Sequence, residues 1–110
     1  MDQLPTDMMI SAYIRIAARE GVPIVVRRRG DDTQGAILLK INRLDNTAHV
    51  LAQVRMNDES VWNPVSRTDP MTDADAERYL AKQAEIDPDT WILEIEDKQG
   101  RHWFPGRRGN

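Results

Sequence analysis

Three consecutive arginines, Arg27, Arg28 and Arg29, followed by Gly30, form the densest positive charge in the chain. Guanidinium forks beside loop amides suit a phosphate or carboxylate, which makes this corner a candidate anion site. A purely architectural role is the competing reading. Strand alternation sends Arg27 and Arg29 to one face and Arg28 to the other, and Asp31 and Asp32 lie close enough to neutralise two of the three charges. Arginines at a strand end also lay their stems over apolar surface and keep their heads in water.

The second constellation is Glu94-Ile95-Glu96-Asp97. Two carboxylates two residues apart on a strand share a face, with α-carbons about 6.6 to 7 Å apart. Such a pair can perform acid/base hydrolysis or offer oxygen ligands to Mg²⁺, but it equally forms a solvated face or pairs with the arginines if the last strand lies beside the first. His49 and His102 are distant in sequence, and no cysteine exists to complete a zinc site. Ser11, Ser60 and Ser66 have no Gly-x-Ser-x-Gly surroundings, and Gly30 and Gly35 lack the spacing of a phosphate loop. No catalytic residue, metal site or cofactor is therefore expected. Among the aromatics, Trp91 alternates with Leu93 and Ile95 and belongs to the core. Trp103 and Phe104, following Arg101 and His102 near the C-terminus, are the aromatic candidates for an exposed partner surface.

Composition bounds the setting of these residues. A chain of 110 residues, 40% hydrophobic and 30% charged, is one ordinary globular domain. Zero cysteines point to a reducing, cytoplasmic location, and no apolar run approaches the roughly 18 residues of a membrane span. The N-terminal MDQLPTDMM has no basic segment leading into an apolar one, so neither export nor insertion is expected. Net charge is −3, split as eight Lys/Arg against six Asp/Glu in residues 1–55 and seven against twelve in 56–110. That second half repels nucleic acid. Any anion must instead meet the Arg27–Arg29 corner or the tail residues Arg101, Arg107 and Arg108.

The positioning elements follow from periodicity. Ile10, Tyr13, Ile14 and Ala17 form the stripe of an amphipathic helix that Thr6 or Asp7 can cap and that Gly21 and Pro23 end. Ile24 to Arg29 reads as a first strand, a polar reversal spans 30–35, and Ala36 to Leu44 is the second strand. In that strand Ile37, Leu39 and Ile41 face the helices, while Leu38, Lys40 and Asn42 are partly wet. A third strand runs from Ala48 to Arg55, and a short fourth, Val61 to Val65, sits at an edge because Pro64 cannot donate to a ladder. Thr72 caps a second helix ending near Ile86, and Trp91 to Glu96 is the last strand. The expected fold is α+β, with two helices on one face of a mostly antiparallel sheet of about five strands in the order α-β-β-β-β-α-β. Residues 1–104 make a single domain and 105–110 a flexible tail.

One resemblance joins these segments. Arg28-Arg29-Gly30-Asp31, Gly35, Lys40-Ile41-Asn42-Arg43-Leu44, then Asp87-Pro88-Asp89-Thr90-Trp91, Glu94-Ile95-Glu96-Asp97 and Gly100-Arg101 resemble the small bacterial family called domain of unknown function 1491. The likeness covers nearly the whole chain. It implies a single-domain bacterial protein and brings no activity, substrate or cofactor with it. The functional expectation is a non-enzymatic interaction or regulatory module, self-associating as a homodimer or binding a protein partner through the open sheet face or the Trp103-Phe104 end. The alternative is a small-anion or nucleotide-phosphate binder at Arg27–Arg29 and Arg101, with Glu94 or Glu96 as acid/base if it is an enzyme.

Overall fold

The computed structural model describes residues 4–109 and shows an α+β domain with one mixed sheet. Helix α1 (Thr6–Arg19) leads into β1 (Ile24–Arg28), β2 (Ile37–Asn42), β3 (Thr47–Met56), β4 (Glu59–Pro64) and the two-residue β5 (Met71–Thr72). Helix α2 (Asp73–Ile86), β6 (Trp91–Glu96) and the two-residue β7 (Arg107–Arg108) complete the chain. The sheet runs β1-β6-β2-β3-β4-β7, with β5 paired to β3. Most pairings are antiparallel, but β6 enters the middle of the sheet parallel to β2, and β7 runs parallel to β4. Among the described residues, no helix is long and apolar enough to cross a membrane.

The central strands alternate as their sequences require, yet both faces are covered. Ile37, Leu39, Ile41, Trp91, Leu93 and Ile95 pack with Ile10 and Ala17 of α1. Leu38 and Ile92 point the other way and pack with Ala76 and Leu80 of α2. The expectation of two helices on one face is thus corrected: each helix takes its own face over the central strands, while Val25 and Val26 of β1 and Val54 and Met56 of β3 stay exposed. Periodicity marks the apolar stripe of a helix but not the sheet face it will cover. On the side of β2 expected to be partly wet, Leu38 and Lys40 are accordingly buried, while Asn42 is part-exposed.

Helix α1 starts without a side-chain cap. The β1–β2 loop does that work: Thr6 N–H donates to Thr33 O and Asp7 N–H to Asp32 O, satisfying amides that a helix start leaves free. For α2 the expected cap is present, with Thr72 Oγ1 accepting from Asp75 N–H at 3.1 Å.

The C-terminal segment crosses the α1 face rather than fraying. Phe104 is only 3% exposed and packs near Tyr13 and Trp62, with ring centroids 5.5 and 6.0 Å away. Trp62 Nε1 donates to Pro105 O at 2.8 Å, and Arg107 binds Glu59. The segment expected to be a tail therefore supplies the last strand. Phe104, proposed from sequence as a partner surface, is core instead, because the rings of Tyr13 and Trp62 form an apolar seat that it fills.

Candidate anion site

The arginine corner is divided by a bulge between Val26 and Arg28. An inserted residue shifts strand alternation by one, so Arg27 parts from Arg29, contrary to the simple alternation. Arg27 turns to the α2 face, where Nη1 donates to Glu94 Oε1 at 2.5 Å and Nη2 to Glu77 Oε1 at 2.7 Å. Arg28 lies opposite Ile92 and is half-buried, with Nε unpartnered among the described residues. Arg29 goes to the α1 face, its guanidinium 5.0 Å from the Trp91 ring centroid and 2.7 Å from Asp32. The three charges therefore do not converge. Glu94 also accepts from Asn42 Nδ2 at 3.0 Å, while Glu96 is exposed and makes no ion pair among the described residues.

Beneath Arg27 lies an ion network whose centre, Lys40, the sequence did not single out. Its ammonium is 2.6 Å from Asp73 and Glu77 and 3.6 Å from Glu94, and the side chain is 3% exposed. Burial works to lower the Lys40 pKa, but the hydrogen bonds that the ammonium donates to Asp73 and Glu77, with the charges of Glu94 and Glu77, outweigh it and hold the group above its ordinary value. Glu77 is held down to about 2, chiefly by its hydrogen bond from Arg27, with burial opposing and Lys40 assisting. Every acid of this network meets a base, so it fastens α2 to the sheet.

Beyond the ends of β2 and β6 a different cluster forms. His49, on β3 opposite Ile41, places Nδ1 2.6 Å from Asp69 Oδ1 and Nε2 3.2 Å from Arg43 Nη1. A carboxylate only accepts and a guanidinium only donates, so Asp69 calls for a proton on Nδ1 and Arg43 for a lone pair on Nε2, while Arg108 has the Asp69 carboxylate as its acceptor. Arg108, delivered by β7, bonds Asp69 Oδ2 and lies 3.1 Å from His49 Nδ1. Gly100, with φ +73°, passes so close that a Cβ there would stand 3.1 Å from His49 Nε2.

His102 joins from the same loop, 6.0 Å from the Trp62 ring. Burial first, and then the charge of Arg108, push its pKa below the usual imidazole value. Its Nδ1 and the Nε of Arg43 are buried without hydrogen-bond partners among the described residues. Beside Asp69 opens a shallow concavity of about 540 Å³ that Ser66 and Arg67 also line. Arg67 is exposed and makes no ion pair among the described residues. Arg101 and Trp103 stand apart from this cluster. Both donate to Asp97, at 2.8 and 2.9 Å, and the Arg101 guanidinium lies 4.6 Å from the Trp103 ring centroid. Burial tends to raise the Asp97 pKa, and these bonds with that from Gln99 N–H bring it below the ordinary value.

Of the residues named from sequence, Arg27 and Glu94 meet in the Lys40 network, Arg101 and Trp103 meet on Asp97, and His102 and Arg108 reach the histidine cluster. Arg43, His49, Asp69 and Arg67 were not nominated. They come from three segments, the β2–β3 turn, β3 and the β4–β5 loop, and no sequence spacing links these segments. The one signal available was the tail's positive charge, of which Arg108 enters the cluster.

Comparison with known proteins places the whole assembly. The model of the DUF1491 family, described as a protein of unknown function, matches residues 4–105. The chain belongs to the DUF1491 family. A crystal structure of a DUF1491 family protein from Caulobacter crescentus CB15 is similar to it with 35% identity and a TM-score of 0.86, over 97% of this chain and 100% of that one. An NMR structure of a DUF1491 family protein from the same organism has 34% identity and a TM-score of 0.84, with 100% of both chains covered. The solution structure of protein Atu0922 from A. tumefaciens, at 21% identity, TM-score 0.71 and 86% of each chain, shares the fold. No curated protein matches the chain. The DUF1491 fold thus carries both the Lys40 network and the histidine cluster, and these differ in one respect that bears on function: the first is closed by its own acids, the second is not.

Proposed function

We propose that this DUF1491 protein is a non-enzymatic binding module that takes a small oxyanion, a phosphate group above all, at the concavity that Ser66, Arg67 and Asp69 line, with His49 and Arg108 bound to Asp69 behind it. The carrying observation is an excess of cationic nitrogen around one carboxylate. Arg43 and Arg108 flank His49, Asp69 is bonded by His49 and Arg108 together, and two buried nitrogens of the cluster have no partner among the described residues. Arginine forks are matched to phosphate oxygens, and a partly enclosed site strengthens each bond relative to water. Arg67 at the rim supplies a guanidinium that no acid among the described residues engages. The Arg27–Arg29 corner suits this role less, since Arg27 and Arg29 already hold carboxylates.

Titration with orthophosphate at constant ionic strength tests the reading. Amide NMR shifts are expected at Arg67, Gly100 and His102, and thermal stabilisation should approach about 2.7 kcal/mol at one hundred times the dissociation constant. Arg67→Ala leaves every ion pair described above intact and should weaken binding about tenfold, a loss of about 1.4 kcal/mol. Phosphate that stabilises no more than chloride, or that binds Arg67→Ala as tightly as the parent protein, overturns the proposal.

A further inference from the structure

On the α1 face a second and larger concavity lies between the start of α1, the β1–β2 loop and the β3–β4 hairpin. We infer that this cleft is a binding site for an uncharged, ring-bearing small molecule with hydrogen-bonding groups on its edge. Its volume is about 610 Å³, within the few-hundred to thousand Å³ range of small-molecule sites. It shares no lining residue with the concavity beside Asp69, so the two inferences stand or fall separately.

The lining specifies the ligand class. Met9, Tyr13 and Ile37 give an apolar base, closed by Trp62, and a thioether with aromatic rings favours a flat, polarisable guest. Thr33, Gln53 and Ser60 also line it; Thr33 Oγ1 donates to Asp31 and Gln53 Nε2 to Ser60 Oγ, which leaves the Gln53 carbonyl to accept and the Ser60 hydroxyl to donate. Such groups match the edge of a neutral heterocycle or an aromatic amide. Arg55, the sole charged side chain among the described lining residues, is already engaged in an interaction of its own. A charged ligand therefore finds no dedicated counter-ion here.

The cleft is also preformed. Its loop wall is tied to α1 by Thr6 Oγ1 donating to Thr33 O at 3.1 Å and by Asp7 N–H donating to Asp32 O at 3.0 Å. The same loop is held to the sheet by Trp91 Nε1, which donates to Asp31 O at 2.7 Å, and is braced internally by the Asp31 carboxylate, which accepts from Thr33 and Gln34. A wall fixed before binding removes the ordering cost that a mobile loop would impose.

The experiment is amide NMR of the full chain with adenosine and nicotinamide as uncharged ring probes, and adenosine monophosphate as the charged counterpart. At least one uncharged probe should give saturable shifts at Thr33, Gln34 and Gly35, with a dissociation constant of about 1 mM or tighter. Adenosine monophosphate should bind this cleft no more tightly than adenosine. Gln34→Trp, on an exposed loop position, and Ser60→Phe both fill the cleft and should weaken binding at least about tenfold, while leaving orthophosphate shifts at Arg67 unchanged. Three results would overturn the inference: no saturable shift with either uncharged probe, undiminished binding in folded forms of both variants, or tighter binding of the monophosphate at these same amides.

Discussion

Replacing Lys40 with methionine isolates what the buried ion network contributes. Lys40→Met keeps most of the stem volume and removes only the ammonium, leaving Asp73, Glu77 and Glu94 facing one another. Removing one member of a fully buried pair costs about 3 to 5 kcal/mol. Asp73 and Glu77 are 36% and 37% exposed, so water reaches the stranded carboxylates and lowers that figure. We therefore expect a loss of about 2 to 3 kcal/mol, or on the order of 10 °C in melting temperature for a domain of this size. Arg27→Met removes a cation from the same acids, but its side chain is 38% exposed, and the cost should stay near or below about 1 kcal/mol. Urea unfolding of the parent, the two single variants and Lys40→Met/Glu77→Gln measures all three quantities. The double variant should recover about 1 kcal/mol, because one of the mutually repelling charges is gone. If Lys40→Met costs no more than Arg27→Met, or if the double variant is less stable than Lys40→Met, the network does not have Lys40 at its centre.

Three further outcomes follow from the geometry. Glu77 is held at about 2 against an ordinary 4.5, so its stabilising contribution is complete above about 4.5 and disappears as pH falls toward 2. Glu77→Gln should therefore be less stable than the parent at neutral pH and converge with it in acid, as urea midpoints at stepped pH would show. His102 is held below its ordinary 6.5, so the folded state resists its protonation and stability declines as pH falls below about 6.5. His102→Phe should flatten that decline, and an unchanged slope would remove His102 as its source. Gly100→Ala forces a side chain into a left-handed position and against His49, so it should cost more than about 1 kcal/mol and shift the His49 ring signals.

The sequence by itself determined the two helices, the five longer strands and the class of fold, but not the two-residue strands β5 and β7. Alternation in Ile37–Ile41 and Trp91–Ile95 requires two strands with one strongly apolar face, and the stripe Ile10, Tyr13, Ile14, Ala17 requires a helix against it. Thr72 likewise announced the start of α2. These signals are local, because a period of 2 or 3.6 residues and a capping hydroxyl act within a few positions. Tertiary structure decided everything that depends on which segments meet. The insertion of β6 between β1 and β2 brought Glu94 to Arg27 and Lys40, and α2 on the second face buried a lysine that alternation had placed in water. Docking of the C-terminal segment turned Phe104 from a candidate surface into core and carried Arg108 to Asp69 and His49. Electrostatic and hydrogen-bond energies depend on distances of a few ångströms, so residues 20 to 60 positions apart become a site only when the fold closes. For that reason the arginine run was conspicuous in the sequence while the cluster around His49 was invisible there.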